Sequence, residues 1–336
     1  MDESNYKGSP VITRYPDTIL SCKDVPYESN LTFNAGIVKE KDGYTMLFRN
    51  DYGCTQPEWE AGKRFKGTNI GLAHSKDGIK WEVEKEPSFD LTEFMNSDEF
   101  CRAYDPRITA MDGHYIISFA IDTKHGVHGG FCLTDDFKQY KILSISVPDN
   151  RNMVLFPEKI NGMYVRLERP MPVYSRDRAG KFDIWLSESP DLEFWGRSRL
   201  VLGTEDVPFC NDKIGPGAPP LKTDKGWLVI FHSVDIDPAR GKNGWEESWK
   251  KRYCIGVMLL DLKDPSKVIG MSKSPLMIPE APYELHGGFR DNALFPCGMV
   301  RDDDGLIRIY YSAGDAVVRM ATAKEEDLIA LCTEAR

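Results

Sequence analysis

The sequence predicts an all-β fold, a five-bladed β-propeller that ends in a short C-terminal helix. Two observations carry this prediction: a hairpin pattern recurs five times along the chain, and helical periodicity is scarce. Radial repetition of antiparallel units protects the strand edges, whereas a β-sandwich offers no reason for a five-fold repeat. Because no linker-like segment interrupts the sequence, we expect a single domain over residues 1–336.

Each predicted hairpin consists of two apolar runs joined by a turn that contains glycine. The turns are Asp42-Gly43, Asp112-Gly113, Asn161-Gly162, Asp224-Lys225-Gly226 and Asp304-Gly305. Asp-Gly and Asn-Gly are the strongest short hairpin signal, because both turn residues adopt positive φ. A further strand follows each hairpin, so we expect three or four strands in each blade. Thr322 and Glu325 predict a capping box at the start of the final helix.

Composition limits the classes of partner. The 52 acidic and 43 basic residues give a net charge of −9 without a basic stripe, which argues against nucleic acid but allows a phosphate-sized ligand. The eight scattered cysteines form no CxxC pair, so we expect buried free thiols and no zinc site. The sequence has neither a signal-peptide pattern nor an apolar stretch long enough to span a membrane, which predicts a cytoplasmic protein.

Polar residues at the ends of the predicted hairpins are the candidate functional residues, because ligands of a propeller bind where the inner strands meet at one end. The candidates are Asn34, Arg49, Asp51, Tyr104, Asp105, Arg151, Asn152, Arg169, Lys213, His232 and Asp315. This mixture of carboxylates, amides and clustered cations suits a sugar held beside an anion.

Structural explanations compete for several of these residues. Asp105 precedes Pro106, so a turn residue paired with Arg107 is as good an interpretation as a functional carboxylate. Arg151 and Asn152 could equally lie in a solvated loop, and their spacing alone favours that interpretation. The glycines and prolines of residues 211–219 favour a close approach of backbone to a ligand. The spacing of His125 and His128 is only a weak signal for a metal site, and we expect no bound metal. These patterns alone do not choose a reaction.

Several segments, taken together and in order, resemble glycoside hydrolase family 130, the β-mannoside phosphorylases and their relatives. The matching runs include Thr32–Ala35, Leu47–Asp51, Ala103–Arg107, Arg151–Pro157, Leu167–Pro170, Asp183–Asp191, Lys213–Gly217, Leu294–Gly298 and Tyr310–Tyr311. The resemblance implies a five-bladed propeller that carries out inverting phosphorolysis. The expected substrate is a β-1,4- or β-1,2-linked manno-oligosaccharide or a mannosyl-glucose, and the expected products are α-mannose 1-phosphate and a shortened sugar.

The resemblance also implies a role for each candidate. Asp105 would be the general acid, relaying its proton through a sugar hydroxyl. The residues matched to the phosphate site are Arg151, Asn152, Arg169, Lys213 and His232. Those matched to the mannosyl subsite are Asn34, Arg49, Asp51, Tyr104 and Asp315, although the residues just before Asp315 depart from the family pattern. Inorganic phosphate would be the co-substrate, with no cofactor, no nucleic acid and no membrane partner; homo-oligomerisation is left open.

Two other functions remain open at this stage. A β-mannosidase on the same scaffold would need a second carboxylate to deprotonate water, whereas phosphate is already anionic and needs a cationic clamp instead. A non-catalytic carbohydrate-binding propeller would hold sugar without chemistry. Residues 235–252 do not match the family, and they are interpreted as an acceptor-side loop, a subunit contact or a solvated loop. Arg64 is a further candidate for the site.

Overall fold

The strands form five antiparallel sheets, in the computed structural model that describes residues 7–89, 99–172, 174, 180–246 and 248–333. A short strand, β1 (Thr13–Arg14), comes first and is followed by a 3₁₀ turn at Cys22–Asp24. Blade one then contains β2 (Leu31–Glu40), β3 (Gly43–Tyr52), β4 (Gly67–Ser75) and β5 (Glu82–Val83). Blade two contains β6 (Phe100–Met111), β7 (His114–Thr123), β8 (Gly126–Thr134) and β9 (Lys141–Ile145).

Blades three to five repeat this arrangement. Blade three contains β10 (Asn150–Leu155), β11 (Tyr164–Pro170), β12 (Ile184–Ser189) and β13 (Gly196–Leu202). Blade four contains β14 (Lys213–Pro216), β15 (Leu221–Lys222), β16 (Trp227–Ile236), β17 (Lys251–Leu260) and β18 (Val268–Met271). Blade five contains β19 (Leu294–Arg301), β20 (Leu306–Ala313) and β21 (Val317–Lys324). The five-bladed propeller is confirmed.

The N-terminal strand completes blade five. Strand β1 pairs antiparallel with β21, with Thr13 opposite Thr322, and so becomes the outermost strand of that blade. Each gap between neighbouring blades is filled by its own apolar cluster, for example by Ile70, Phe119 and Cys132 between blades one and two. These five clusters, rather than one central core, bury most of the apolar side chains.

Two of the five predicted turns have the expected backbone geometry. Both residues are left-handed at Asp112-Gly113 (φ 53° and 82°) and at Asn161-Gly162 (φ 52° and 80°). The expectation is wrong for the Asp-Gly turns at Asp42 and Asp304, because neither aspartate adopts positive φ. In blade one the turn is made one residue earlier, because Gly43 already pairs with Glu40 as the first residue of β3.

Three α-helices accompany the strands within the described residues: α1 (Gln56–Glu60), α2 (Pro282–Leu285) and α3 (Glu325–Thr333), with a second 3₁₀ turn at Thr204–Asp206. The C-terminal helix is confirmed, and it packs Leu328 and Cys332 into the cluster between blades four and five. The predicted capping box is wrong, because Thr322 lies inside β21 and Glu325 pairs with Arg301.

The cysteines follow the expectation in part. All eight are free thiols, and six of them are buried, but Cys22 is half-buried and Cys101 is exposed. In the part of the chain that the structure describes, none of the helices combines the length and the apolar character that crossing a membrane requires.

Candidate active site

The candidate residues come together because each blade presents two strand ends to the same end of the propeller. The tight hairpin turns lie at the opposite end, so the beginnings of inner strands such as β6 meet the ends of second strands such as β11. A cavity of about 70 Å³ lies where they converge. Eight predicted residues line it: Asn34, Arg49, Asp105, Arg151, Asn152, Arg169, His232 and Asp315. Asp51, Tyr104 and Lys213 lie directly behind this lining.

In each of the first three inner strands, β2, β6 and β10, a β-bulge directs one side chain toward the cavity. The strand register shifts at Asn34, at Asp105 and at Asn152, and these three residues have left-handed φ values of 48°, 56° and 57°. A bulge leaves one residue out of the ladder and bends the strand, which re-aims the freed side chain. Asn and Asp tolerate this conformation better than most residues do, but it still carries backbone strain.

One part of the cavity, which we call the carboxylate half, consists of Asn34, Arg49, Asp51, Asp105 and Asp315. The carboxylate Oδ1 of Asp105 accepts a hydrogen bond from Nδ2 of Asn34 at 2.8 Å and lies 3.4 Å from Nη1 of Arg49. Arg49 also binds both carboxylate oxygens of Asp51, at 3.0 and 2.7 Å. The guanidinium lies 4.6 Å from the ring centroid of Phe33 and 4.8 Å from that of Tyr104, which further limits its freedom.

These contacts test the structural interpretation of Asp105, a turn residue paired with Arg107. Its side chain pairs with Arg49, and the guanidinium of Arg107 binds backbone carbonyls instead, so the expected turn-type pair with Arg107 is wrong. Burial alone would raise the pKa of Asp105, but the charges of Arg49 and Arg107 and the Asn34 amide outweigh it. The net shift of its pKa is downward.

Asp315 differs from Asp105 in its electrostatics. It follows β20 with a left-handed φ of 49°, and its Oδ2 lies 3.4 Å from Nη1 of Arg290. Burial raises the pKa of Asp315, and the nearby charges of Asp105 and Asp51 raise it further, against the opposing effect of Arg290. The two lining carboxylates therefore differ in the direction of their pKa shifts.

The other part of the cavity, the cationic half, consists of Arg151, Asn152, Arg169, Lys213 and His232. Arg151 donates from Nη1 to the Tyr104 hydroxyl at 3.2 Å, and Nη1 of Arg169 lies 3.4 Å from Nε2 of His232. Among the described residues, Nε of Arg151, Nε of Arg169 and Nδ1 of His232 are buried without a hydrogen-bond partner. Unpaired buried donors are costly, so this set is suited to an oxyanion.

In the cationic half, burial and repulsion between neighbouring cations lower the pKa values of three side chains. Burial, together with the charges of Arg169 and Lys251, lowers the pKa of Lys213 to about 6. Burial and the charge of Arg151 lower the pKa of Arg169 to about 9. Burial and the same neighbouring cations hold the pKa of His232 far below its usual value, so the imidazole is neutral. The cations are held close together at a cost that a bound anion would offset.

Gly215 permits this convergence. A Cβ atom at residue 215 would lie 2.4 Å from the ring of His232 and 3.2 Å from the amide of Asn152. At residue 217 a Cβ atom would meet Pro296 of blade five at 2.6 Å. The groups that approach these glycines are side chains, and the close approach of this backbone to a ligand stays a prediction.

Two long connections contact each other beside the cavity, and Trp249 of the second one lines it. We call these connections the rim bridge (residues 53–66, 237–246 and 248–250). They come from blades one and four and meet above blade five, where Lys242 pairs with Glu60 and the ring of Phe65 stacks on that of Trp245. Within the bridge, Glu246 binds Nε of Arg290 at 3.1 Å. Trp249 lies between Arg290, whose guanidinium is 4.4 Å from its ring centroid, and the stacked ring of Tyr253.

Sequence reasoning missed five residues that line the cavity: Trp249, Tyr253, Arg290, Ala293 and Phe295. The signal that was available is the unmatched segment 235–252, whose Trp249 reaches the cavity, so a solvated loop is the wrong interpretation of that part. Arg290 follows the glycine pair Gly287-Gly288 but belongs to no motif. Arg64 does not line the cavity; it is exposed and stacks on Trp59. Within the described residues, no group of three or more His, Cys, Asp and Glu side chains could hold a metal ion.

Comparison with known proteins identifies the family. The family model for glycoside hydrolase family 130, described as beta-1,4-mannooligosaccharide phosphorylase, matches residues 12–334. The chain belongs to glycoside hydrolase family 130. A beta-1,4-mannooligosaccharide phosphorylase of Ruminococcus albus is 32% identical over 329 residues, covering 95% of this chain and 90% of the relative. A beta-1,2-mannobiose phosphorylase of Listeria innocua is 33% identical over 261 residues, covering 77% of this chain and 67% of the relative.

Solved structures share the fold of this chain. The complex of a Listeria innocua beta-1,2-mannobiose phosphorylase with beta-1,2-mannobiose has a TM-score of 0.79 at 24% identity, covering 97% of this chain and 99% of that one. A second structure, from a study of family 130 hydrolases that target beta-1,2 mannosidic linkages in Candida mannan, has a TM-score of 0.74 at 20% identity, covering 97% and 96%. At these identities the likeness shows the fold, and family membership makes this chain a family 130 enzyme.

Proposed function

We propose that the protein is a β-mannoside phosphorylase that acts with inversion. The observation that supports this most directly is the cationic half, in which the side chains of Arg151, Arg169 and Lys213 converge beside the Asp105 carboxylate. In the proposed reaction the anomeric carbon loses its bond to the acceptor oxygen and gains one to a phosphate oxygen. Asp105 protonates the departing oxygen through a sugar hydroxyl, and the proton of hydrogen phosphate finally restores that of Asp105.

The electrostatics of the cavity support a requirement for phosphate before Asp105 can work. A general acid must carry its proton when the bond breaks. The pKa of Asp105 is lowered, with Arg49, Arg107 and Arg151 as the contributing cations that outweigh burial. A phosphate dianion beside Arg151 would offset this charge and raise the pKa of Asp105 toward the range of a working acid. On this proposal, phosphate is both the nucleophile and the group that keeps the acid protonated.

Hydrolysis on the same scaffold is the second candidate function, and one observation bears on it. Among the described residues the cavity is lined by two carboxylates, Asp105 and Asp315, and a hydrolase would need the second as a base. Asp315 is held by Arg290, and its raised pKa makes it a carboxyl that keeps its proton more readily than usual. The cationic half has no use in hydrolysis, which favours phosphorolysis.

The finer details of the proposal concern the sugars and the location. Both β-1,2 and β-1,4 linkages occur among the named relatives, so the acceptor must be determined with a panel of substrates. We propose that the rim bridge forms the acceptor side of the cavity, since Trp249 and Arg290 line it. We further propose a cytoplasmic enzyme that takes inorganic phosphate as co-substrate and needs no cofactor or metal.

A phosphorolysis assay tests the proposal. Purified protein is incubated with β-1,2-mannobiose, β-1,4-mannobiose and 4-O-β-mannosyl-glucose, each with and without phosphate, in the presence of a metal chelator. We expect at least one of them to yield mannose 1-phosphate, only when phosphate is present, and NMR of the first product formed to show the α anomer. Equal cleavage without phosphate would instead establish a β-mannosidase. Binding without cleavage would establish a carbohydrate-binding propeller.

A further inference from the structure

Arg107 is a buried cation at the centre of the propeller whose role the resemblance does not assign. Its side chain, 3% exposed, lies two residues after Asp105 on β6. Nη1 donates to the backbone oxygens of Asp105 and Pro106 at 3.1 and 3.0 Å, and Nε donates to the oxygen of Gly217 at 2.5 Å. One guanidinium therefore binds three backbone carbonyls.

These carbonyls belong to blades that are not neighbours in the ring. Asp105 and Pro106 form the bulge of blade two, whereas Gly217 directly follows β14 of blade four. Lys213, the first residue of β14, belongs to the cationic half. Arg107 therefore connects the Asp105 bulge to the strand that carries a residue of the proposed phosphate site. The ring of Phe295 in blade five lies 5.6 Å from the guanidinium and packs against it.

The backbone at Asp105 needs such support. A non-glycine residue at φ 56° persists only where the surroundings over-determine it. Asn34 and Arg49 hold the carboxylate, but the carbonyls of the bulge itself are held by Arg107. Loss of these bonds would free the bulge to relax without removing any group that contacts substrate.

We propose that Arg107 is a positioning residue for the reaction, because it fixes the Asp105 bulge against β14 and thereby sets the spacing between the acid and the phosphate site. This inference rests on the proposed phosphorolysis. A shift of about 1 Å in a reacting group can lower a rate by ~100-fold. The expected defect is therefore in the chemical step and not in phosphate affinity.

The charge of Arg107 predicts a second measurable effect, a shift in the pH profile of kcat. The charged and titratable groups that face Asp105 come from several elements: Arg49 and Asp51 of β3, Tyr104 and Arg107 of β6, Arg151 of β10, Cys297 of β19 and Asp315 after β20. Burial raises the pKa of Asp105, and Arg107 is one of the cations that lower it. Neutralising Arg107 should thus raise the pKa of Asp105 and move the basic limb of the kcat profile to higher pH.

Arg319 provides a matched control. It is also 3% exposed, and its guanidinium donates to the carbonyls of Tyr15 and Pro16 and to the Thr18 hydroxyl. It does not line the cavity. Arg319→Met therefore removes the same kind of buried guanidinium, with the same kind of partners, at a distance from the chemistry. Its effect should be confined to stability.

The experiment compares Arg107→Met, Arg107→Lys and Arg319→Met by kcat, by KM for phosphate, by pH profile and by thermal unfolding. We expect Arg107→Met to lower kcat by ~100-fold, to leave KM for phosphate nearly unchanged and to shift the basic limb upward. Arg107→Lys keeps the charge, so it should leave the limb in place and recover part of kcat. Arg319→Met should lower the melting temperature alone.

Each outcome decides the question. If both methionine variants have the same kcat per folded molecule, or if Arg107→Lys has wild-type kcat, the inference is wrong. Should Arg107→Met fail to fold, Arg107→Lys decides by the same criterion of lowered kcat at unchanged KM for phosphate. Failure of the proposed function would appear earlier and separately, as wild-type protein that makes no mannose 1-phosphate.

Discussion

The two halves of the cavity share arginine and asparagine side chains, but they differ in whether their charges are paired. In the carboxylate half, Arg49 pairs with Asp51 and Asp105, and Arg290 pairs with Asp315. In the cationic half, Arg151 lowers the pKa of both Arg169 and Lys213, although in each case burial is the larger cause. The guanidinium nitrogens Nε of Arg151 and Arg169 have no partner among the described residues.

The difference indicates what each half is built to bind. A set of charges that is already paired and hydrogen-bonded presents fixed polar atoms to an uncharged ligand such as a sugar. Buried cations that repel one another lower the stability of the protein until an anion joins them. The protein therefore sacrifices stability in the cationic half for affinity toward an anion, and does not do so in the carboxylate half.

The largest expected effect is at the acid. Asp105→Asn retains the size of the side chain but removes the proton donor, so we expect phosphorolysis to fall by ~10²–10⁴-fold, the usual contribution of a general acid. Thermal unfolding should change little. A variant that keeps wild-type kcat, or one that loses activity only because it unfolds, would return Asp105 to a structural role.

Arg169 tests the cationic half by affinity and stability together. Arg169→Met should raise KM for phosphate by ~10- to 100-fold, because a hydrogen bond to a charged group contributes about 1.5–3 kcal/mol. Without phosphate the variant should be at least as stable as wild type, because it lacks a buried guanidinium that the neighbouring Arg151 repels. The measurements are KM for phosphate and chemical unfolding in phosphate-free buffer.

Arg166, on the same strand, is the control for that variant. It is buried but paired with Glu168 at 2.7 Å. Arg166→Met leaves the Glu168 carboxylate buried without its cation, with the Asn150 amide as a remaining hydrogen-bond donor, so it should destabilise the protein by about 3–5 kcal/mol without changing KM for phosphate. Equal losses of stability in the two variants would contradict the contrast between paired and unpaired cations.

Lys213 adds a pH dependence of intermediate size. With a folded-state pKa of about 6, it binds phosphate as a cation at low pH and loses its charge as the pH rises. KM for phosphate should therefore rise by about tenfold between pH 6.5 and 8.5. Lys213→Arg should flatten this dependence, and the ionisation of phosphate itself is common to both proteins. Parallel profiles would show that Lys213 does not bind the anion.

The same shift predicts how stability varies with pH. The pKa of Lys213 is lower in the folded than in the unfolded protein, so the unfolded chain binds more protons between about pH 6 and its ordinary pKa of 10.5. The contribution of Lys213 to phosphate-free stability thus rises with pH across this window. Lys213→Met should remove that rise in chemical unfolding measured at several pH values.

The smallest effect is expected at the rim bridge. Glu246→Gln weakens the hold on Arg290, and a partly exposed ion pair contributes about 0.2–1 kcal/mol. KM for the mannoside should rise by roughly two- to fivefold, with KM for phosphate unchanged. Glu60→Gln, in the same bridge but paired with exposed Lys242, serves as the control. An equal rise in KM for the mannoside and in KM for phosphate would show that Glu246 does not act on the acceptor side of the cavity.

Local chemistry explains which parts of the fold could be predicted. Asp112-Gly113 and Asn161-Gly162 specify their turns within two residues, so the hairpin count follows directly from the chain. Pairing of Thr13 with Thr322 depends on where the ring closes, and no local pattern encodes it. The failed capping box at Thr322 has the same cause, since pairing within blade five extends β21 as far as Lys324.

The candidate site divides in the same way. Motif runs predicted Asp105, Arg151 and Lys213 as site residues, but not the bonds that fix their properties. The bulges, the pairing of Arg49 with Asp105 and the three carbonyls held by Arg107 join segments up to 110 residues apart. Trp249 lines the cavity from a long connection of blade four, and Arg290, which Glu246 of that connection binds, lines it from the segment before blade five.

The sequence by itself determined the repeat, the number of hairpins and the types of side chain available, because each depends on residues close together in the chain. Only the tertiary structure decided which carboxylate is paired, which cations remain unpaired and which loops reach the cavity. The physical reason is that electrostatic energy depends on distance and burial, and both are set when strands far apart in sequence converge on one axis.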